Sequence, residues 1–267
     1  MSDKVLRVTD IEHFHWSLSE ADVPESIALD HKPVSLAAAV ELAIIEAHYR
    51  EPDQRRPAFG YVTDCPTRSI IKATNWPLSG KLTSKRERDA VAIVLPTPDE
   101  SIWWSEQLRL LKNDLTTNHF PPRLATALTG GVAEMVDNAW FHSSTDKPAL
   151  LAYQVRKRRF AFSVADIGIG ILDSLKQNPK YNWLRSSMEA IYFAIQPGVS
   201  RCENGGMGFT TMLTAMADLW GNARIRSGQA ALLVDGTQEI RSSNFIYLPP
   251  LPGLHISVRC SLDSPRS

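Results

Sequence analysis

The 267-residue chain has no charge excess: 29 Lys+Arg stand against 29 Asp+Glu. A broad nucleic-acid scaffold is therefore not expected, because phosphate neutralisation needs a basic surplus or stripe. Its three cysteines, Cys65, Cys202 and Cys260, lack the paired spacing of a disulfide framework or a zinc site. Reduced thiols are the expectation. No apolar run approaches the roughly 20 residues of a membrane helix, and the N-terminus lacks a basic-then-apolar signal pattern. These absences predict a soluble, cytoplasmic protein with no membrane partner. With 43% apolar and 22% charged residues, the chain is long enough for a well-buried core.

The chain changes character near residue 100. Residues 1–100 are broken by eight prolines, among them Pro24, Pro33, Pro52 and Pro96. Within them, Ser35 to Tyr49 forms an Ala-rich apolar helical pattern that Ser35 can cap. Ala58 to Thr63 and Ala90 to Leu95 read as short strands, and Lys81 to Asp89 as a charged connector. This stretch predicts a small N-terminal α/β accessory region. Beyond it, Ser101 to Asn118 suits an amphipathic helix. The pair Pro121 and Pro122 ends that helix and opens a second, reaching about Phe141. Ala149 to Val155 and Phe160 to Ala165 alternate as an antiparallel hairpin across a basic turn. Asn182 to Ile195 and Phe209 to Trp220 read as helices, and Ala223 to Cys260 as three or four strands. Helices followed by strands imply an α+β fold, a two-layer α/β sandwich with helices on one face of a mixed, largely antiparallel sheet.

Three motifs carry chemistry. At 100° per residue, Val132, Met135, Val136, Ala139 and Trp140 share one side of the second helix, while Glu134, Asp137 and Asn138 share the other. Asn138 offers a neutral oxygen suited to Mg²⁺, and Glu134 could polarise a water for in-line attack on a phosphoryl group. Asp166 ends a strand in Asp166-Ile167-Gly168-Ile169-Gly170, where a carboxylate can accept from an exocyclic amine such as that of adenine. Gly168 and Gly170 permit unusual backbone angles and the close approach of a flat ligand. The third motif, Asn204-Gly205-Gly206-Met207-Gly208, feeds a helix N-terminus whose free N–H groups favour an anion. Neither a P-loop nor a dinucleotide fingerprint is present.

In this order and spacing, the motifs resemble the ATP-binding domain shared by gyrase, heat-shock chaperones, histidine kinases and mismatch-repair ATPases, the GHKL superfamily. The resemblance covers roughly residues 105–260 and implies an ATP-binding domain over residues 101–262. It implies the histidine-kinase-type fold, ATP and Mg²⁺ as ligands, Glu134 as catalytic base and Asn138 as metal ligand, with Asp137 in support. It also implies that Asp166 reads adenine above Gly168 and Gly170. Gly205, Gly206, Met207 and Gly208 would surround the phosphates, and Asn182 to Ser200 would form a mobile lid. Pro252 and Gly253, before the strand His255 to Arg259, look like that family's closing hairpin. No distal lysine matches the γ-phosphate contact of the gyrase branch. No phosphoacceptor hairpin precedes the domain, since His119 runs into Phe120-Pro121-Pro122. Gly130 and Gly131 interrupt the motif helix, where each costs about 1 kcal/mol against Ala. The resemblance implies an ATPase that slowly hydrolyses Mg-ATP to switch a protein partner. The alternatives are a protein kinase, resembling the anti-sigma serine kinases or histidine kinases, and a nucleotide-gated binding module. A homodimer is open to the chain, and the adjacent Trp103 and Trp104 could contribute to its interface, although aromatic residues on such a helix more often belong to the core.

Overall fold

A computed structural model describes residues 35–48, 71, 73–74, 76–77, 83–95, 101–199, 208–217, 219–235 and 241–263. The expected strand Ala58 to Thr63 lies outside them. Six strands are described: β1 (Thr83–Glu87), β2 (Ala90–Leu95), β3 (Ala149–Arg156), β4 (Arg159–Ala165), β5 (Trp220–Asp235) and β6 (Phe245–Ser261). They form one sheet in the order β1-β2-β3-β4-β6-β5. Every pairing among the described strands is antiparallel, so for these the expected mixed sheet is corrected to an antiparallel one. For two of the pairings the cause is local: β1–β2 and β3–β4 are joined by two-residue turns, a connection that forces antiparallel pairing. Because β1 pairs with β2 and β2 with β3, the sheet continues across residue 100.

The charged connector is likewise corrected. Residues Thr83–Glu87 are an edge strand, exposed along most of its length. Lys85, Arg86 and Glu87 are compatible with pairing there because only one edge is bonded, and charge protects the free edge. Arg86 is fastened by Asp114 (2.6 Å) and Tyr153 (3.3 Å).

The α+β class holds, with most helices on one face. These are α2 (Ser101–Thr117), α3 (Pro122–His142), α4 (Gly170–Lys176), α5 (Ser187–Ala194) and α6 (Gly208–Ala217). Leu111, Leu115, Val132, Met135, Val136 and Ile191 pack with Leu151, Phe162, Ile225 and Ile256 of the sheet in the larger core. The expectation that helices occupy one face only is corrected by α1 (Leu36–His48), which covers the opposite face. Its sequence is apolar almost all round, so it must be buried on nearly every side. Leu36, Val40, Leu42, Ile44 and Ile45 meet Ala90, Ala92, Val94, Leu150 and Ala152 there. Strand β2 is covered on both faces and is accordingly an uninterrupted apolar run, AVAIVL.

Two further boundaries differ from expectation. The C-terminal region forms two long strands rather than three or four. The breaks suggested by Gly228 are absorbed as register shifts at Ser227/Gly228 and Gly228/Ala230, and Pro249, Pro250 and Pro252 lie within β6. The expected helix Asn182 to Ile195 begins only at Ser187, because Ser186 and Glu189 form a capping box that fixes its start. Trp104 makes an edge contact with Trp140 (5.7 Å) and packs on the larger core, as Trp103 does.

Candidate functional site

Helix α3 begins with Pro122 in its first turn, where a missing N–H costs nothing. It runs unbroken through Gly130 and Gly131. A Cβ on Gly131 would rest 3.6 Å from Met212 of α6, whereas Gly130 faces open space. Val132, Met135, Val136 and Ala139 enter the core, which leaves Glu134 exposed and Asp137 and Asn138 half-buried on the far side. Burial, with the negative charge of Glu134 added, raises the Asp137 carboxyl above its ordinary range. The Asn138 Nδ2 is buried and has no hydrogen-bond partner among the described residues. An amide in that condition costs about 1–3 kcal/mol until a partner arrives.

Asp166 stands at the end of β4 and is 2% exposed. Its N–H donates to Leu254 O (3.0 Å), and its Oδ1 accepts from Gly168 N–H (2.8 Å). Burial pushes its carboxyl up to about 7, against the opposing pull of backbone hydrogen bonds from Gly168 and Leu254. A group poised near neutrality in this way is a site candidate.

The glycines around Asp166 have a packing reason of their own. A Cβ on Gly168 would fall 2.1 Å from Ser143 O, and Ile169 N–H donates to that same carbonyl (2.9 Å). Gly170 has φ +75° and would press on Ser227 Oγ at 2.7 Å, while Gly253 has φ +74° and would strike Asp166 O at 2.1 Å. The Ser227 hydroxyl ties the three segments, accepting from Ile171 N–H (2.9 Å) and donating to Gly253 O (2.9 Å). The main chain that Gly168 and Gly170 admit is thus the protein's own.

Gly205, Gly206 and Met207 lie outside the described residues, and Gly208 opens α6. Of the expected lid, residues 182–199 are described. Leu184, Ala190, Ile191 and Ile195 are buried in the larger core, and Ser187 Oγ accepts from Gln229 N–H (3.2 Å). Trp183 and Tyr192 are exposed and meet Phe193 edge-on at 4.8 and 5.8 Å.

The fold brings two of the motifs together. Ser143, the cap of α3, touches the Gly168–Ile169 turn, and α6 packs on the same helix at Gly131. Among the described residues, no group of three or more His, Cys, Asp or Glu is placed to hold a metal. A cation here would depend on the Asn138 amide and on oxygens of its ligand.

Sequence reasoning missed a buried charged cluster behind this site. Glu41 of α1 is fully buried and meets Arg224 (2.6 Å), Arg226 and His255 Nδ1 (3.1 Å). Arg226 also donates to Pro249 O (3.1 Å). Burial opposes the Glu41 charge, but the two guanidiniums and the imidazole outweigh it and hold the carboxyl well below its usual range. Burial lowers the His255 pKa, with Glu41 pulling the other way. The available signal was an acid, Glu41, flanked by apolar residues in a helix and two arginines at alternate positions of a strand. Register joins the cluster to the site, since His255 pairs with Ala165, beside Asp166.

Compared with known proteins, the chain matches no family model, no curated protein and no solved structure. Among the described residues, no helix is long and apolar enough to cross a membrane.

Proposed function

We propose that the chain is an ATP-binding protein of the GHKL type that slowly hydrolyses Mg-ATP to switch a protein partner. The observation that carries this reading is the seating of the Asp166–Gly170 turn on Ser143, at the end of the helix that presents Glu134 and Asn138. A buried carboxyl poised near 7 and an unpaired amide thereby belong to one neighbourhood.

In this reading the ionised Asp166 accepts the exocyclic amine of adenine, while Gly168 N–H keeps its Oδ1 oriented. Asn138 would hold Mg²⁺ through its amide oxygen. The ion supplies neutralisation of charge on the phosphates. Asn138 fits that part because its Nδ2 is bound to nothing among the described residues, which leaves the amide free to turn its oxygen toward a cation. Glu134, exposed on the same helix face, takes the proton of the attacking water. The glycines Gly205, Gly206 and Gly208 supply backbone N–H groups to the phosphates on the strength of their sequence pattern.

The test is calorimetric titration of Mg-ATP into wild type and Asp166→Ala, with phosphate release followed in wild type and Glu134→Ala. The expected result is binding that Asp166→Ala abolishes and release that Glu134→Ala lowers by about 10²–10⁴-fold. Affinity should also fall as pH drops below about 7, when Asp166 gains its proton. Binding without release, or transfer of label to a protein, would move the assignment to a gated module or a kinase. A wild type that binds no ATP at millimolar nucleotide overturns the reading.

A further inference from the structure

The α1 face of the sheet carries a cavity that the ATP reading does not use. Its volume is about 480 Å³, within the range of small-molecule sites. The floor is one rung across three strands, Ser163 of β4 opposite Ser257 of β6 opposite Arg224 of β5. All three face α1, because their neighbours Phe162, Val164, Ile256, Val258, Ala223 and Ile225 enter the core on the other side. Ser163 is fully buried, lines the cavity, and its Oγ has no hydrogen-bond partner among the described residues. Such a hydroxyl calls for a partner from outside.

The roof is the start of α1. Ser35 Oγ accepts from Ala38 N–H (3.3 Å) and Ser35 O from Ala39 N–H (2.9 Å). The N–H groups of Leu36 and Ala37, residues that line the cavity, have no acceptor within the helix. They lie at the positive end of a 13-residue dipole. Arg259, on the rung next to Ser257, adds a cation to the wall, and Asp235 is the acid that partly offsets it. Leu233, 42% exposed, and half-buried Ile246 supply an apolar side.

We infer that this cavity binds a small phosphomonoester, its phosphate held by Ser163, Arg259 and the N-terminus of α1 and its organic body against Leu233 and Ile246. Helix-end N–H groups, a hydroxyl and a guanidinium form an oxyanion donor set, and the volume leaves room beyond the anion for the body. The site lies across the sheet from Glu134 and Asn138, so it is independent of the nucleotide assignment.

The test titrates phenyl phosphate and inorganic phosphate into the full chain and three variants. Wild type should bind phenyl phosphate about tenfold or more tighter than inorganic phosphate, since the ring adds apolar burial. Ser163→Val should weaken binding by about tenfold, the worth of a hydrogen bond to a charged group. Ser35→Asp keeps a good helix cap but sets a negative charge at the anion's place, and should weaken binding by a similar factor while the melting temperature holds. Asp166→Ala should bind as wild type does. The inference is overturned if phenyl phosphate does not bind at millimolar concentration, if Ser35→Asp binds it unchanged, or if Asp166→Ala abolishes binding.

Discussion

The two faces of the sheet are held by different physics. On the larger face, five helices cover an apolar surface of Leu151, Phe160, Phe162, Ile225, Ile256 and Val258, with Phe160 and Phe162 stacked at 5.5 Å. On the other, α1 covers the middle strands through small and branched side chains, and one buried carboxylate binds it to β5 and β6. Apolar burial is non-directional and accepts repacking. A carboxylate shared by two guanidiniums and an imidazole does not, because each hydrogen bond needs one placement. The cluster therefore determines where α1 sits along the sheet, and the apolar contacts determine only that something covers it.

The largest test of this contrast is Glu41→Ala. Removing one partner of a buried ion cluster costs about 3–5 kcal/mol, whereas the combined Glu41→Met, Arg224→Met and Arg226→Met chain should recover most of that loss. Urea unfolding of both reads the difference, and a single-variant cost under about 1 kcal/mol would erase the contrast.

Next comes Asp166→Asn. The folded carboxyl sits near 7 and the ordinary one at 3.8, so the folded chain holds this proton more tightly. Its contribution is full below about 3.8 and is lost as pH rises through about 7, a swing of about 4 kcal/mol. Asp166→Asn should therefore gain stability relative to wild type between pH 4 and 7.5. Its own curve should keep the opposite trend expected of His255, whose lowered pKa withdraws stability as pH falls below 6.5. Parallel curves for variant and wild type would show that Asp166 is not strained by burial.

On the larger face, Leu115→Ala should cost about 2–5 kcal/mol by transfer and cavity terms, with a penalty that is flat between pH 5 and 8. The smallest effect is Gly130→Ala. Nothing lies within 4 Å of its Cβ position, so the variant should gain about 0.5–1 kcal/mol of helix propensity, read as a small rise in melting temperature. Gly131→Ala, whose Cβ would stand in ordinary van der Waals contact with Met212 at 3.6 Å, should gain at least as much.

Elements whose pattern is local were legible in the chain. The period of 3.6 in α2 and α3, the alternation of β3 and β4, the apolar run of β2 and the Ser35 cap each state their own conformation within a few residues. The candidate site was legible to the same depth, as a wet helix face at Glu134, Asp137 and Asn138 and a strand-end acid at Asp166. What was not legible depended on a distant partner. Thr83–Glu87 is a strand only because β2 offers it an edge, and Gly228 is a register shift only because β6 continues past it.

By itself, then, the amino-acid order determined the α+β class, most of the helix and strand cores, and which residues could carry chemistry, because periodicity and capping act over one or two turns. Tertiary structure decided the rest: which face α1 covers, that Arg224 and Arg226 turn toward Glu41, and that Gly168, Gly170 and Gly253 are needed for close packing of the chain on itself. A buried charge takes its meaning from a partner, and a glycine from whatever occupies its missing side chain's place. Glu41 and Arg224 are 183 positions apart, and only the folded chain brings them within 2.6 Å.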